Sequence, residues 1–140
     1  PKNEERRVAK VNKSAVKVHK LTKAYKPFYK AVNNLSFALD YGECFALLGI
    51  TGAGKTTTFK CLCQEEIPDF GQLMMANYNV LSEGGFSNAR SMVGYCPQFD
   101  AIYDQLTVKE HIGFYATIKG VRKDYLDEIV DLQIKDMDLW

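Results

Sequence analysis

Gly49-Ile50-Thr51-Gly52-Ala53-Gly54-Lys55-Thr56 reads G-x-x-x-x-G-K-T and follows the apolar run Cys44-Phe45-Ala46-Leu47-Leu48. The pattern is that of a loop that wraps a polyphosphate. Several backbone N–H groups must converge on one anion, and they can do so only where side chains stay out of the way, which is what the glycines provide. Beyond the loop, Lys55-Thr56-Thr57-Thr58-Phe59-Lys60-Cys61-Leu62 predicts a helix whose unpaired N–H groups and positive dipole end face the same phosphates. Lys55 is placed to reach the β- and γ-phosphates, the Thr56 hydroxyl to ligate Mg²⁺, and Thr57 to contact the α-phosphate. The alternative, a glycine-rich turn carrying a chance lysine, does not require an apolar strand before it and a helix after it.

Upstream of the loop, Ala15-Val16-Lys17-Val18-His19-Lys20-Leu21 alternates with period two and predicts a strand, broken at Tyr25-Lys26-Pro27. Ala31 to Leu39 is a second alternating run, and Asp40-Tyr41-Gly42-Glu43 turns the chain into the loop's own strand. Two strands ahead of the loop depart from a simple nucleotide-binding βαβ unit and suggest a small antiparallel subdomain beside the phosphate site. Residues 1–13 are charged and without sustained periodicity, so a linker or loosely held lead-in is expected there, with the domain proper over 14–140.

Downstream, Gln72 to Ala76 predicts a short strand, Ser82 to Ser91 loop or weak helix, and Met92 to Cys96 a strand stopped by Pro97. At Thr107 the period becomes helical. Thr107 as N-cap and Glu110 three positions on form a capping box, and Gly120 ends the helix. A further helix begins within Asp124 to Leu132.

With 140 residues, 46% of them hydrophobic, the chain can bury the core of one domain. Its longest apolar run, Cys44 to Ile50, falls far short of the roughly 20 residues that span a bilayer, and no signal peptide is apparent. Cys44, Cys61, Cys63 and Cys96 have neither Cys-x-x-Cys spacing nor a metal-like relation to His19 and His111, and are expected to be buried thiols in a reducing compartment. Ten Lys and Arg stand against two Asp and Glu in residues 1–30, and eight against fifteen in the remainder, so the halves carry +8 and −7. A basic arm can serve nucleic acid or an anionic surface. These lysines alternate with apolar residues, so the solvated face of a strand is preferred and no nucleic-acid partner is expected.

Tyr25, the loop from Gly49 to Thr57, and Gly94-Tyr95-Cys96-Pro97-Gln98-Phe99-Asp100 stand in an order that resembles the nucleotide-binding domain of an ABC transporter. Gly42 to Gly49, Gly94 to Ala101 and Leu106-Thr107-Val108-Lys109-Glu110-His111 resemble its A subfamily, associated with lipid movement; Glu5-Arg6-Arg7-Val8 is similar to that subfamily's lead-in. The resemblance implies an α/β fold, a P-loop NTPase core of the ABC ATPase type with an N-terminal antiparallel β subdomain and the start of a helical subdomain. It implies ATP and Mg²⁺ as cofactors, bound through Tyr25, Gly49, Thr51, Gly52, Ala53, Gly54, Lys55, Thr56, Thr57 and Gln98. Of these, Tyr25 would stack on adenine, while Thr56 and Gln98 would serve the metal.

The partners so implied are a transmembrane domain, of the same or another chain, and a second nucleotide-binding domain, at the cytoplasmic face of a membrane. Phe99, Ile102 and Tyr103 are expected to touch the membrane domain. Thr51 departs from the asparagine or serine usual at its position. No Leu-Ser-Gly-Gly-like signature, Asp-Glu-ended strand or later histidine follows Gln98, so the chain is expected to bind ATP without hydrolysing it alone. A stand-alone regulatory module, or a kinase or GTPase relative, is the alternative. Against the last stand the two strands and Tyr25 ahead of the loop, with no guanine-reading motif in view.

Overall fold

β1 (Val16–Lys26) and β2 (Tyr29–Leu39) form an antiparallel hairpin closed by the two-residue turn Pro27-Phe28 in the computed structural model, which describes residues 2–11 and 13–139. Tyr25 therefore lies within β1, near its end, and not in a loop. β3 (Phe70–Met75) pairs with the other edge of β1, and the short β4 (Tyr78–Asn79) with β3, giving an antiparallel sheet of order β2-β1-β3-β4.

Strict alternation cannot bury both Val18 and Leu21, which lie three residues apart, yet neither exposes any surface. A bulge reconciles them. Lys20 takes φ +55°, and the register slips between Val18 and Leu21 against β2 and between His19 and Thr22 against β3. Side chains meet the hydrogen-bonding needs there: Lys20 N–H donates to Ser36 Oγ at 2.9 Å, and Asn34 N–H, itself at φ +52°, donates to Thr22 Oγ1 at 3.1 Å.

The lead-in, expected to be a linker or loosely held, is ordered over most of its length. Residues Lys2–Lys10 form a helix, α1, which buries Val8 completely. Arg7 pairs with Glu4 one turn back and donates to the Ala38 carbonyl at 2.9 Å, while Glu5 meets Lys20 at 3.1 Å. One apolar anchor and three polar contacts replace an apolar stripe, which is why periodicity missed the helix.

α2 (Lys55–Leu62) follows the glycine-rich loop and buries Thr58, Cys61 and Leu62. Cys61 and Leu62 join Val18, Leu21, Phe37 and Leu73 in the core, with α3 (Gly85–Arg90) adding Ala89. Residues 43–50 form no ladder. An extended segment becomes a strand only when neighbours pair its backbone, and among the described residues no strand lies alongside. Side-chain packing holds it instead, Phe45 stacking on Phe37 with ring centroids 5.1 Å apart. Met92 to Pro97 likewise forms no strand.

The cysteines also depart from expectation: Cys61 is buried, Cys63 half-buried, and Cys44 and Cys96 are exposed. Burial pushes the Cys61 and Cys63 thiols up, keeping them protonated. All four are free, and no His, Cys, Asp and Glu cluster suited to a metal occurs among the described residues.

This material makes one compact unit, Pro1–Gly94; Tyr95–Trp140 makes a second. In the second, α4 (Val108–Ile118) starts at the predicted capping box: Thr107 Oγ1 accepts from Glu110 N–H at 3.3 Å, and Thr107 N–H donates to Glu110 Oε2 at 2.8 Å. The Thr107 hydroxyl, donating to Glu110 Oε2 at 2.7 Å, and then the Thr107 N–H hold the Glu110 carboxyl below the usual carboxylate range. Gly120, at φ +83°, follows the helix end. A 3₁₀ turn, Lys123–Tyr125, leads into α5 (Leu126–Asp136), which packs on α4 through Val130 and a 2.7 Å Lys109–Asp131 ion pair. Tyr103, His111, Phe114 and Tyr115 form an aromatic cluster, and Phe99, Ile102 and Tyr103 are all exposed. No helix among the described residues is long and apolar enough to cross a membrane.

Candidate functional site

The start of α2 has no side-chain cap; its N-cap residue is Gly54, at φ +88°. A glycine is required twice over. A Cβ there would adopt a backbone conformation that L-residues disfavour, and it would collide with the Ala31 carbonyl oxygen and press on Val32 at 3.0 Å. β2 thus lies directly against the loop at this residue. The Gly54 carbonyl accepts from Thr58 N–H and from Thr58 Oγ1, both at 2.9 Å, pinning the first turn of α2. With no side chain folded over it, that first turn leaves backbone donors to converge on an anion.

Lys55 folds back along the loop, donating from Nζ to the carbonyls of Gly49 at 2.6 Å and Ile50 at 2.9 Å. Ala53 N–H closes a tight turn on Ile50 O at 3.1 Å. Gly52, at φ +84°, lies in open space, and Thr51 is exposed beside it. The Thr56 hydroxyl is on an exposed residue and Thr57 is half-buried.

These groups face a cleft of about 180 Å³ lined by Gly52 to Thr57 on one side and by Tyr25, Tyr29 and Ala31 of the hairpin on the other. The structure therefore brings together seven of the residues expected from the sequence: Tyr25, Gly52, Ala53, Gly54, Lys55, Thr56 and Thr57. Gly49 and Thr51 lie outside the lining; Gly49 is joined to it through the Lys55 bond to its carbonyl. Gln98 belongs to the second unit, where it is exposed at a bend after Pro97. Tyr29 was not foreseen. The tight Pro27-Phe28 turn, which returns the chain to the cleft four residues after Tyr25, was the signal that could have found it.

Residues fit a nucleotide triphosphate here on the chemistry of the donor set: backbone N–H groups held open by two left-handed glycines, one ammonium, two threonine hydroxyls and the two tyrosine rings of the hairpin. A magnesium ion would find one hard oxygen in Thr56, consistent with a metal that keeps most of its ligands as phosphate and water.

Behind Tyr25 lies a polar clasp. Lys23 Nζ sits 5.5 Å from the Tyr25 ring centroid, 3.2 Å from Glu66 Oε2 and 2.8 Å from the Ile67 carbonyl, to which it donates. Asp69 completes the clasp, its N–H donating to Thr22 O at 2.9 Å and its carboxylate accepting from Ala24 N–H at 2.7 Å. Burial disfavours the Lys23 charge, but the Glu66 hydrogen bond and the Glu66 and Asp69 charges outweigh it and hold the ammonium above its ordinary range.

Comparison with known proteins places this geometry. Residues 32–139 match the family described as ABC transporter. The chain is similar to the glucosylceramide transporter ABCA12 of Mus musculus, 47% identical over 118 residues, covering 81% of this chain and 4% of that protein. It is also similar to the retinal-specific phospholipid-transporting ATPase ABCA4 of Homo sapiens, 39% identical over 125 residues, covering 89% and 5%. The chain thus spans about a twentieth of the length of these relatives.

Among solved structures, an ATP-binding subunit of an ABC transporter superposes with TM-score 0.69 at 28% identity, over 79% of this chain and 45% of that one. The ATP-binding cassette MJ0796, described as a dimer in a post-hydrolysis state bound to ADP and Pi, shares the fold, with TM-score 0.71 at 21% identity over 89% and 58%. The family match, the α/β architecture and the loop at Gly49–Thr56 agree: the chain is a segment of an ATP-binding domain and belongs to the ABC transporter family.

Proposed function

We propose that this chain is the nucleotide-holding portion of a cassette that couples ATP binding and hydrolysis to transmembrane transport of lipid. The observation that carries the proposal is the cleft in which Tyr25 and Gly52 to Thr57 face one another. The loop N–H groups and Lys55 bind the phosphates, with Thr57 at the α-phosphate, Thr56 holds Mg²⁺, and Tyr25 stacks on the base. A magnesium ion held there would neutralise phosphate charge. Gln98 is offered as a metal ligand on the family resemblance alone. Lipid as cargo rests on likeness to transporters named for glucosylceramide and phospholipid.

A second nucleotide-binding domain and a transmembrane domain are the partners, and the cytoplasmic face of a membrane is the location. Phe99, Ile102 and Tyr103 meet the membrane domain; the exposure of Phe99 and Ile102 supports that role. Calorimetry with Mg·ATP tests the assignment. The chain is expected to bind ATP far more tightly than adenosine, and Lys55→Ala to weaken binding. Equal affinities for ATP and adenosine, or no effect of Lys55→Ala, would remove it.

A further inference from the structure

We propose that Lys23 is a positioning residue for the nucleobase, holding the Tyr25 ring in place through a clasp anchored at the far end of α2. The inference rests on the reading of Tyr25 as the base platform. Tyr25 is 48% exposed and near the end of β1, so the strand alone leaves its ring free to turn. Lys23 lies two residues back on the same strand, where the pairing with β2 is irregular, and its side chain nonetheless reaches over the Tyr25 ring. Its ammonium, 5.5 Å from the ring centroid, is at cation–π range.

What separates this lysine from an ordinary surface neighbour is its immobility. Its side chain is only 14% exposed, and its Nζ is held at once by Glu66 and the Ile67 carbonyl. A solvated lysine would sweep many rotamers and constrain nothing. Glu66 is itself tied to α2, its N–H donating to the Lys60 carbonyl at 3.2 Å, and Asp69 brackets β1 on both sides of Lys23 through Thr22 and Ala24. The helix whose first turn faces the phosphates thus continues, past its last turn, into the segment that fixes the aromatic ring. A cation against the ring also favours stacking electronically, since it polarises the π cloud that the base meets.

The experiment compares Mg·ATP with inorganic tripolyphosphate, which takes the phosphate cradle without a base, on the whole chain. Lys23→Met keeps the aliphatic stem and removes the cation, Lys23→Arg keeps a cation, and Glu66→Gln loosens the clasp without touching Lys23. Expected is a loss of about threefold or more in ATP affinity for Lys23→Met, a smaller loss for Glu66→Gln, near-complete retention in Lys23→Arg, and tripolyphosphate affinity unchanged throughout. Loss of ATP and tripolyphosphate affinity in parallel would show a merely structural lysine and overturn the proposal, as would no loss in either. Tyr25→Ala separates the two readings. If it lowers ATP against tripolyphosphate while Lys23→Met and Glu66→Gln do not, Lys23 is excluded and the base platform stands; if it changes nothing, both fall.

Discussion

Replacing Gly54 by alanine tests the contact on which the cleft depends, and its effect can be worked from the backbone. Left-handed φ, here +88°, costs an L-residue roughly 1–2 kcal/mol. The added methyl also collides with the Ala31 carbonyl oxygen and presses on Val32 Cγ2 at 3.0 Å, neither of which is the loose end of a flexible side chain. Relief requires the loop or β2 to move, an overpacking cost of about 1–3 kcal/mol, so the whole effect is roughly 2–5 kcal/mol. Gly52→Ala is the matched control, with φ +84° and nothing within 4 Å of its Cβ, and should lose only the conformational part, about 1–2 kcal/mol. In urea, with a slope of about 1–3 kcal/mol per molar, Gly54→Ala should unfold about 1 M earlier than Gly52→Ala. ATP affinity should fall with it, because the Gly54 carbonyl anchors Thr58. Coincident midpoints for the two variants would refute the close approach of β2 to the loop.

Tyr25→Ala should weaken ATP and GTP alike by about 1 kcal/mol, since a stacked ring reads a purine face and not its edge; calorimetry with both nucleotides checks it. Thr107→Ala should destabilise the second unit by about 1 kcal/mol through loss of the helix cap, read as a lowered denaturation midpoint. Because the Glu110 carboxyl is depressed in the folded chain, its contribution is present above its unfolded pKa and is lost as pH falls through the folded value. The midpoint difference between wild type and Thr107→Ala should therefore shrink in acid, and a pH-independent difference would count against the capping box. Purified chain with Mg·ATP should release phosphate no faster than Lys55→Ala at any protein concentration, since neither Glu110 nor Glu128 offers a base to a γ-phosphate.

Features carried by local chemistry were legible in the sequence. The loop at Gly49 to Thr56, the helix that follows it and the Thr107–Glu110 box depend on residues within a few positions of one another, so spacing alone exposes them. What spacing could not show depends on distant partners. Cys44 to Leu48 has strand composition but no neighbour to pair it among the described residues. The bulge at Lys20 is visible only when Val18 and Leu21 must both face one core, and α1 is held by Glu5–Lys20 and Arg7–Ala38, contacts across the fold. Tyr29 and Lys23 escaped for the same reason. Neither belongs to a motif, and their positions follow from a hairpin turn and from a segment more than forty residues away.

If Lys55 binds phosphate as proposed, its two bonds to the Gly49 and Ile50 carbonyls make anion capture an exchange. The ammonium leaves two neutral oxygens for charged ones, so measured affinity reports a difference between bonds and not the strength of the new ones. Until then it acts as an internal guest that keeps the loop's curvature, and the ordering of the backbone is met during folding instead of at the encounter. Removing the side chain would therefore harm the loop even before any ligand arrives. A fast-arriving phosphate would find a shaped receptacle in the parent chain and a slack one in the variant, which separates arrival rate from residence time as two independent consequences of one lysine.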